Sequence, residues 1–126
     1  MMMLEGLRIL VVEDEGMVAL MIQDMLEDLG CEVEALVGRV ADACRLAATT
    51  AADLALLDVN LGGQRVFPVA EILRDRNIPF VFSTGYGESG LPPEFSGSPV
   101  LGKPFSAADL RQAIELAVGS RSDSKR

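Results

Sequence analysis

A short apolar run, Leu54 to Leu57, places the strongest constraint on how this chain folds. It is preceded by Asp53, followed by Asp58, and closed by the pair Gly62-Gly63. Continuous apolarity over so few residues is typical of a strand that is buried on both faces of a parallel sheet. In open α/β sheets the binding crevice lies at the carboxyl ends of the strands, so we expect Asp58 to face a ligand rather than the core.

Strand and helix signals alternate along the rest of the chain. Strands are predicted at 7–12, 32–37, 53–58, 79–84 and 98–102, and helices at 15–29, 39–50, 66–76 and from 106 to 119. This alternation predicts βαβ units, and hence an α/β fold built on a doubly wound parallel sheet. Apolar residues recur at helical spacing in the first helix, whose methionines are interpreted as core filler and whose stop is Gly30.

The stretch 85–97 interrupts the alternation, because glycines and prolines make up nearly half of it. We therefore expect no regular fourth helix there. The stretch is predicted to be mobile, with Leu91 and Phe95 as the apolar groups whose packing changes if the segment takes part in signalling. The alternative is a surface loop that is mobile but has no such role.

Composition and charge exclude several classes of function. A net charge of −8 opposes binding to the phosphates of nucleic acids, and the absence of histidine removes Ser-His and Cys-His nucleophile pairs. The two cysteines have no metal-binding or disulfide spacing. No signal peptide or membrane span is recognisable, so we expect a cytoplasmic protein. Its 126 residues fit one domain, 1–119, with a disordered polar tail, 120–126.

Polar side chains stand at the end of four of the five predicted strands. They are Glu13 and Asp14, Asp58, Thr84, and Lys103. Carboxylates that converge at one edge of a sheet repel each other unless a cation neutralises them, and hard oxygen ligands suit Mg²⁺. An aspartate beside Mg²⁺ can accept a phosphoryl group, whose oxygens a lysine and a hydroxyl can contact.

Each of these residues also has an ordinary structural explanation. Glu13 and Asp14 can serve as caps of the helix that follows them, whose positive end favours acids. Lys103 can be a solvated surface lysine, and Thr84 a strand residue with good β-propensity. The joint placement of these residues at strand ends is what favours a functional site.

Taken together, these motifs resemble the receiver domain of two-component response regulators. The resemblance runs from Leu7 to Gly119 and rests on the strand-end motifs Glu13-Asp14, Asp58, Thr84-Gly85 and Lys103-Pro104-Phe105. It implies a flavodoxin-like (βα)5 sheet of strand order 2-1-3-4-5 with helix 4 irregular or missing, an order taken from the family.

The resemblance also implies the role of each residue. Asp58 would accept the phosphoryl group, Glu13 and Asp14 would hold Mg²⁺ with Asp58 and the main-chain carbonyl of Asn60, Thr84 would be the switch hydroxyl, and Lys103 would pair with the phosphoryl group. The implied partners are a sensor histidine kinase or phosphotransfer protein and a downstream protein, without nucleic acid or membrane. The chain would catalyse at most its own phosphorylation and dephosphorylation.

Two features depart from the common family pattern. Receivers commonly carry an aromatic residue three positions before the lysine, where this chain has Val100, and the fourth helix is normally part of the output face. The run from Phe82 to Gly87 is similar to the motif of a single-domain subgroup that works with HWE or HisKA2 sensor kinases, in which that helix is irregular.

Three functions remain open from the residues. The first is a phosphorylated signalling module that binds a partner protein or drains phosphoryl groups from a shared kinase. The second is a haloacid-dehalogenase-type phosphatase with Asp58 as nucleophile, although the position of its usual general acid holds Asn60. The third is a flavodoxin-like electron carrier, which the lack of tryptophan and of a Ser/Thr-rich phosphate loop disfavours.

Overall fold

The computed structural model describes residues 4–85 and 91–124, with side chains up to residue 119. The strands are β1 (Arg8–Val12), β2 (Glu32–Val37), β3 (Leu54–Asp58), β4 (Asn60–Leu61), β5 (Gln64–Arg65), β6 (Phe80–Thr84) and β7 (Val100–Gly102). The helices are α1 (Gly16–Asp28), α2 (Val40–Thr49), α3 (Phe67–Asp75) and α4 (Ala107–Ser124). The elements that were predicted from the sequence are present, with ends that differ mostly by one or two residues.

The five long strands form one parallel sheet in the order β2-β1-β3-β6-β7. This is the expected order 2-1-3-4-5 once the two-residue strands β4 and β5 are set aside, so the flavodoxin-like fold is confirmed. β3 lies at the centre and is buried throughout, as its continuous apolar sequence predicts. Asp58 is its last residue.

Alternation along the strands divides the core into two layers, one on each face of the sheet. The layer under α2 and α3 contains Leu10, Val12, Ala55, Leu57 and Phe82 among others. The layer under α1 and α4 contains Ile9, Val11, Leu54, Leu56 and Val81 among others. Both faces of the sheet are therefore covered by helices.

The first helix differs from its predicted packing. Its end is as expected: Gly30 has φ +92°, and the N–H groups of Gly30 and Cys31 donate to the carbonyls of Glu27 and Leu26 in a Schellman pattern. The interpretation of its methionines as core filler is wrong for Met17 and Met21, which are 83% and 52% exposed. The apolar stripe is wider than the face that the sheet covers, because Ala19, Ile22 and Leu26 already fill the contact.

The last helix begins as predicted. The N–H of Ser106 donates to the Asp109 carboxylate at 3.1 Å, and the N–H of Asp109 donates to the Ser106 hydroxyl at 3.0 Å, which is a capping box. The helical backbone continues to Ser124, so the predicted end of the helix at Gly119 is too early. A glycine lowers helix propensity but removes no hydrogen bond, and no proline follows to stop the helix.

A short hairpin follows β3 and was not predicted as strands. Asn60 pairs with Arg65 and Leu61 with Gln64, while Gly62 and Gly63 form the turn with φ +55° and +90°. Positive φ at both central residues is the requirement of a type I′ hairpin turn, which glycine meets without strain. The strands are too short for the alternation on which sequence prediction depends.

In the described part of the segment between β6 and β7, residues 85 and 91–99, the regular element is a 3₁₀ turn, Pro93–Phe95. This agrees with the expected loss of a regular fourth helix. Phe95 is 2% exposed and lies 5.6–5.9 Å, centroid to centroid, from the rings of Phe67, Phe80 and Phe82. The mobility expected for 85–97 stays a prediction, and residues 86–90 of that stretch lie outside the described residues.

Two leucines of α1 provide a matched test of the packing. Leu26→Ala should lower the free energy of unfolding by about 2–5 kcal/mol, because Leu26 is fully buried and its truncation leaves a cavity. Leu20→Ala, on the same helix but at a side chain that is 57% exposed, should change it by less than about 0.5 kcal/mol. Urea unfolding measures both values, and equal losses would contradict the assignment of the buried face.

Candidate functional site

The carboxyl ends of the parallel strands bring the predicted residues to one edge of the sheet. Glu13 and Asp14 directly follow β1, and Asp58 ends the neighbouring strand β3. Thr84 ends β6, and Lys103 directly follows β7. Because β3 lies between β1 and β6, Asp58 stands at the middle of this edge.

Lys103 connects two of the carboxylates. Its Nζ donates to Glu13 Oε1 at 2.9 Å and to Asp58 Oδ2 at 3.1 Å. Glu13 and Asp58 are 4% and 7% exposed, whereas Lys103 is only half-buried. The interpretation of Lys103 as a solvated surface lysine is therefore wrong, since its ammonium group holds two buried acids together.

Burial is the largest single influence on the pKa values of Glu13 and Lys103. It raises the pKa of Glu13, and the hydrogen bond from Lys103 opposes this rise without cancelling it, while the negative charge of Asp58 adds to it. Burial lowers the pKa of Lys103, but its hydrogen bonds to Glu13 and Asp58 outweigh that effect, so the net shift is upward. Lys103 thus stays cationic. The negative charge of Asp58 still faces Glu13 and repels its ionised form.

Asp14 completes the cluster from a different direction. It is exposed, and one of its oxygens, Oδ2, accepts a hydrogen bond of 2.9 Å from the main-chain N–H of Gly62 in the hairpin. One carboxylate oxygen from each of Glu13, Asp14 and Asp58 lies within 4.8 Å of the others. Three carboxylates outnumber one ammonium, and their oxygens are the donors that a hard divalent cation such as Mg²⁺ prefers, so the cluster fits that ion.

Asn60 lies beside Asp58 on the first strand of the hairpin. Its N–H donates to Asp58 Oδ1 at 3.3 Å, and its side-chain Oδ1 accepts a hydrogen bond of 3.1 Å from the N–H of Gly63. One hydrogen bond therefore holds its main chain and another holds its side chain. The role of its carbonyl as a metal ligand stays a prediction.

Thr84 is buried at the end of the adjacent strand. It is 8% exposed, and its carbonyl accepts a hydrogen bond of 2.9 Å from the N–H of Lys103. Its neighbour Ser83 is the register partner of Asp58. The sheet thus holds Thr84 and Lys103 together next to the proposed phosphoacceptor.

A capping role does not account for the two acids after β1. The residue that precedes α1 is Glu15, and no side chain caps the helix there. Glu13 accepts a 3.3 Å hydrogen bond from the N–H of Glu15, but its other oxygen is held by Lys103. Asp14 is held by the hairpin. Both side chains are therefore committed to the strand-end cluster.

Two features of the site were missed from the sequence. One is the Gly62 N–H that holds Asp14, for which the adjacent Gly62-Gly63 pair was the available signal. The other is the exposed apolar group Met17, Leu20 and Leu36, which lines an open cleft together with Glu13 and Asp14. The spacing of Met17 and Leu20 showed that they share a helix face but not that this face is uncovered.

Comparison with known families gives a match over most of the chain. The family model described as the response regulator receiver domain matches residues 9–115. Among curated proteins, the transcriptional regulatory protein PdtaR of Mycobacterium tuberculosis is 33% identical over 115 residues. The match covers 88% of this chain but 56% of PdtaR, so the chain spans little more than half the length of the curated relatives it matches.

Solved structures agree in fold over nearly the whole chain. SdrG from Sphingomonas melonis Fr1 is 41% identical with a TM-score of 0.79, and the match covers 94% of this chain and 98% of SdrG. The receiver domain of the sensor histidine kinase PA1611 from Pseudomonas aeruginosa PAO1 is 28% identical with a TM-score of 0.78, covering 90% and 98% of the two chains. That structure has a magnesium ion coordinated in its active-site cleft.

None of the helices in the described part of the chain is both long enough and apolar enough to cross a bilayer.

Lys103→Met tests the bridge between the two buried acids. In the presence of EDTA we expect it to lower the free energy of unfolding by about 2–4 kcal/mol, because breaking a buried pair leaves like charges without compensation. Arg111→Met, which removes the 3.3 Å exposed ion pair with Glu115, is the control and should cost less than about 1 kcal/mol. Urea unfolding that gives equal values for both variants would contradict the bridge.

Proposed function

Because the chain belongs to the family of response regulator receiver domains, we propose that Asp58 accepts a phosphoryl group from a phosphohistidine of a sensor kinase or phosphotransfer protein. The observation that carries this proposal is the position of Asp58. It is a nearly buried carboxylate at a sheet edge, beside two further acids and within 3.1 Å of the Lys103 ammonium group. Such a site can both hold a nucleophilic oxygen and bind a dianionic phosphoryl group.

The transfer step follows from the chemistry of the two groups. A carboxylate oxygen of Asp58 attacks phosphorus, a P–O bond forms, and the P–N bond to the donor imidazole breaks. The bonding electron pair leaves with the ring nitrogen, which takes up a proton from solvent. The products are an acyl phosphate on Asp58 and a neutral histidine on the donor.

The other side chains hold and neutralise charge during this step. Glu13, Asp14, Asp58 and the carbonyl of Asn60 would hold Mg²⁺, which when bound offsets negative charge on the phosphoryl oxygens. Lys103 would move its ammonium group from the carboxylates to a phosphoryl oxygen, a charge-assisted hydrogen bond. Thr84 would contact a second phosphoryl oxygen from the adjacent strand end.

A change in Lys103 and Thr84 is the proposed signal. Both residues lie on the β6–β7 side of the sheet, so their movement toward Asp58 would alter the surface there. The phosphorylated chain would then bind a downstream protein or serve as a phosphate sink. PdtaR, which the chain matches over 56% of its length, is described as a transcriptional regulatory protein, so a regulatory output is consistent with this proposal. The catalysis of the present chain would be limited to its own phosphorylation and dephosphorylation, and we propose that it acts in the cytoplasm.

The family assignment favours this function over the haloacid-dehalogenase alternative. A phosphatase of that type uses a general acid two residues after its nucleophile, and Asn60 cannot supply a proton as a carboxylic acid does. The Asn60 side chain is instead bonded to the Gly63 N–H within the hairpin. It therefore has a structural task that a catalytic acid would not have.

The phosphoacceptor assignment predicts a specific loss. Incubation with Mg²⁺ and a small acyl phosphate should add one phosphoryl group to the wild-type protein and none to Asp58→Asn. Asp75→Asn, at a side chain that is 78% exposed on α3, is the control and should be modified like the wild type. Intact-mass spectrometry measures the adduct, and an equal yield in Asp58→Asn would refute the assignment.

A protein donor must cover the edge of the sheet to reach Asp58. The exposed apolar side chains Met17, Leu20 and Met21 lie on one face of α1, one to two turns from the acids that follow β1. Methionine adapts to irregular partner surfaces and is common at docking sites. We assign this face of α1, together with Leu36, to the docking of the phosphohistidine-bearing protein.

Met17→Glu separates docking from chemistry. It should slow phosphotransfer from a kinase that phosphorylates the wild-type protein by about tenfold, which corresponds to about 1.4 kcal/mol at a contact residue. It should leave phosphorylation by a small acyl phosphate unchanged. Leu116→Glu, at an α4 side chain that is 58% exposed, is the control and should have no effect with either donor. Equal slowing of both reactions by Met17→Glu would place its effect on the site instead.

A further inference from the structure

The contact between Asp14 and the β4–β5 hairpin joins parts of the chain that are 48 residues apart. Asp14 is exposed, so nothing but this contact restrains its carboxylate on the solvent side among the described residues. The Gly62 N–H occupies one oxygen, Oδ2, at 2.9 Å. The second oxygen and the remaining lone pairs are left for a cation.

From this geometry we infer that the main-chain N–H of Gly62 is a positioning group for Asp14, and that the hairpin thereby sets the affinity of the acidic cluster for Mg²⁺. This inference rests on the proposed function, because it assumes that the cluster holds the ion. Groups that hydrogen-bond to a metal ligand fix its orientation, and their loss commonly lowers metal affinity 10–100-fold. Gly62 would act through Asp14 and would not touch the metal.

The hairpin is built to hold its N–H in place. Gly62 has φ +55°, a conformation that directs its N–H toward Asp14 and that residues with a branched Cβ rarely adopt. The turn is closed by the hydrogen bond from Gly63 to Asn60, and its base by the 3.0 Å hydrogen bond from Val66 N–H to the Val59 carbonyl. Leu61, which is 3% exposed, anchors the first strand in the core.

A side chain at position 62 would not block the site directly. A Cβ added there would lie 3.9 Å from Asp14 Oδ2, which is ordinary van der Waals contact. A substitution therefore acts through φ, and its effect depends on whether the new residue tolerates the left-handed region. Asparagine does, and Asn-Gly is the preferred pair for a type I′ turn, whereas valine does not.

Gly62→Val is accordingly the disrupting variant. We expect it to weaken Mg²⁺ binding by about tenfold, measured by isothermal titration calorimetry with MgCl₂. Gly62→Asn, which retains both the φ and the N–H, should restore most of the affinity. Gly6→Val introduces the same strain at φ +82° in a loop remote from the site and should bind Mg²⁺ like the wild type. Urea unfolding of each variant verifies that it is folded.

A double-mutant cycle with Asp14→Ala distinguishes positioning from a general effect on the fold. Asp14→Ala alone should weaken Mg²⁺ binding, and adding Gly62→Val should then change the affinity by less than about twofold, because the group that it positions is gone. A full tenfold loss in that background, or wild-type affinity in Gly62→Val alone, would overturn the inference.

The hydrogen bond itself can be observed without any metal. In metal-free protein the Gly62 amide proton should resonate downfield, and Asp14→Ala should move it upfield while leaving the Gly6 amide in place. An unchanged Gly62 resonance in Asp14→Ala would overturn the inference even if the protein binds Mg²⁺. A wild-type protein that binds no Mg²⁺ but shows the Gly62 shift would overturn the metal assignment of the proposed function, and with it the role inferred for the hairpin.

Discussion

The repulsion among three carboxylates at one sheet edge is the constraint around which this molecule is built. Burial holds Glu13 and Asp58 close together, and like charges in such a place are unfavourable unless a cation lies between them. Lys103 supplies that cation to two of the three acids, and the hairpin holds the third. The arrangement is neutralised only in part, because three carboxylates face one ammonium group.

This partial neutralisation explains how Lys103 could serve both the unmodified and the proposed phosphorylated state of Asp58. With Asp58 unmodified, the Lys103 ammonium group compensates two buried carboxylates. In the proposed phosphorylated state the added phosphoryl oxygens would compete for the same ammonium group, and Glu13 would be left to a cation held by the acidic cluster. Lys103 would therefore move because its partners change, and the parallel pairing of β6 with β7 would carry that movement to Thr84.

The sequence predicted the parts of the structure that depend on local pattern. The central strand, the Gly30 stop and the Ser106 cap were all predicted, because apolar continuity, a left-handed glycine and a capping box are local signals. The Met17 side chain was misassigned, since the sequence shows which residues share a helix face but not how wide a face the sheet covers.

Contacts between distant segments were beyond the reach of sequence patterns. The edge strand β2 shows this well, because its pairing with β1 skips Glu34: Ile9 pairs with Val33, and Leu10 pairs with Ala35. The carboxylate of Glu34 accepts hydrogen bonds from the Arg8 guanidinium group and the Thr50 hydroxyl group. The Gly62 contact with Asp14 is of the same kind: each half has a recognisable residue type, but only the fold brings the halves together.

The burial of Phe95 limits how the segment after β6 can rearrange. Burying a phenylalanine is worth about 1.5–3 kcal/mol, and Phe95 also packs against three rings and lies under the Arg74 guanidinium group. A phosphoryl group gains one to three charge-assisted hydrogen bonds of about 1.5–3 kcal/mol each. Expelling Phe95 into water would therefore consume much of the free energy that phosphorylation supplies. Leu91 is only half-buried and would move at lower cost. If this segment takes part in signalling, a rearrangement that shifts Leu91 while Phe95 stays in the core would therefore require the least free energy.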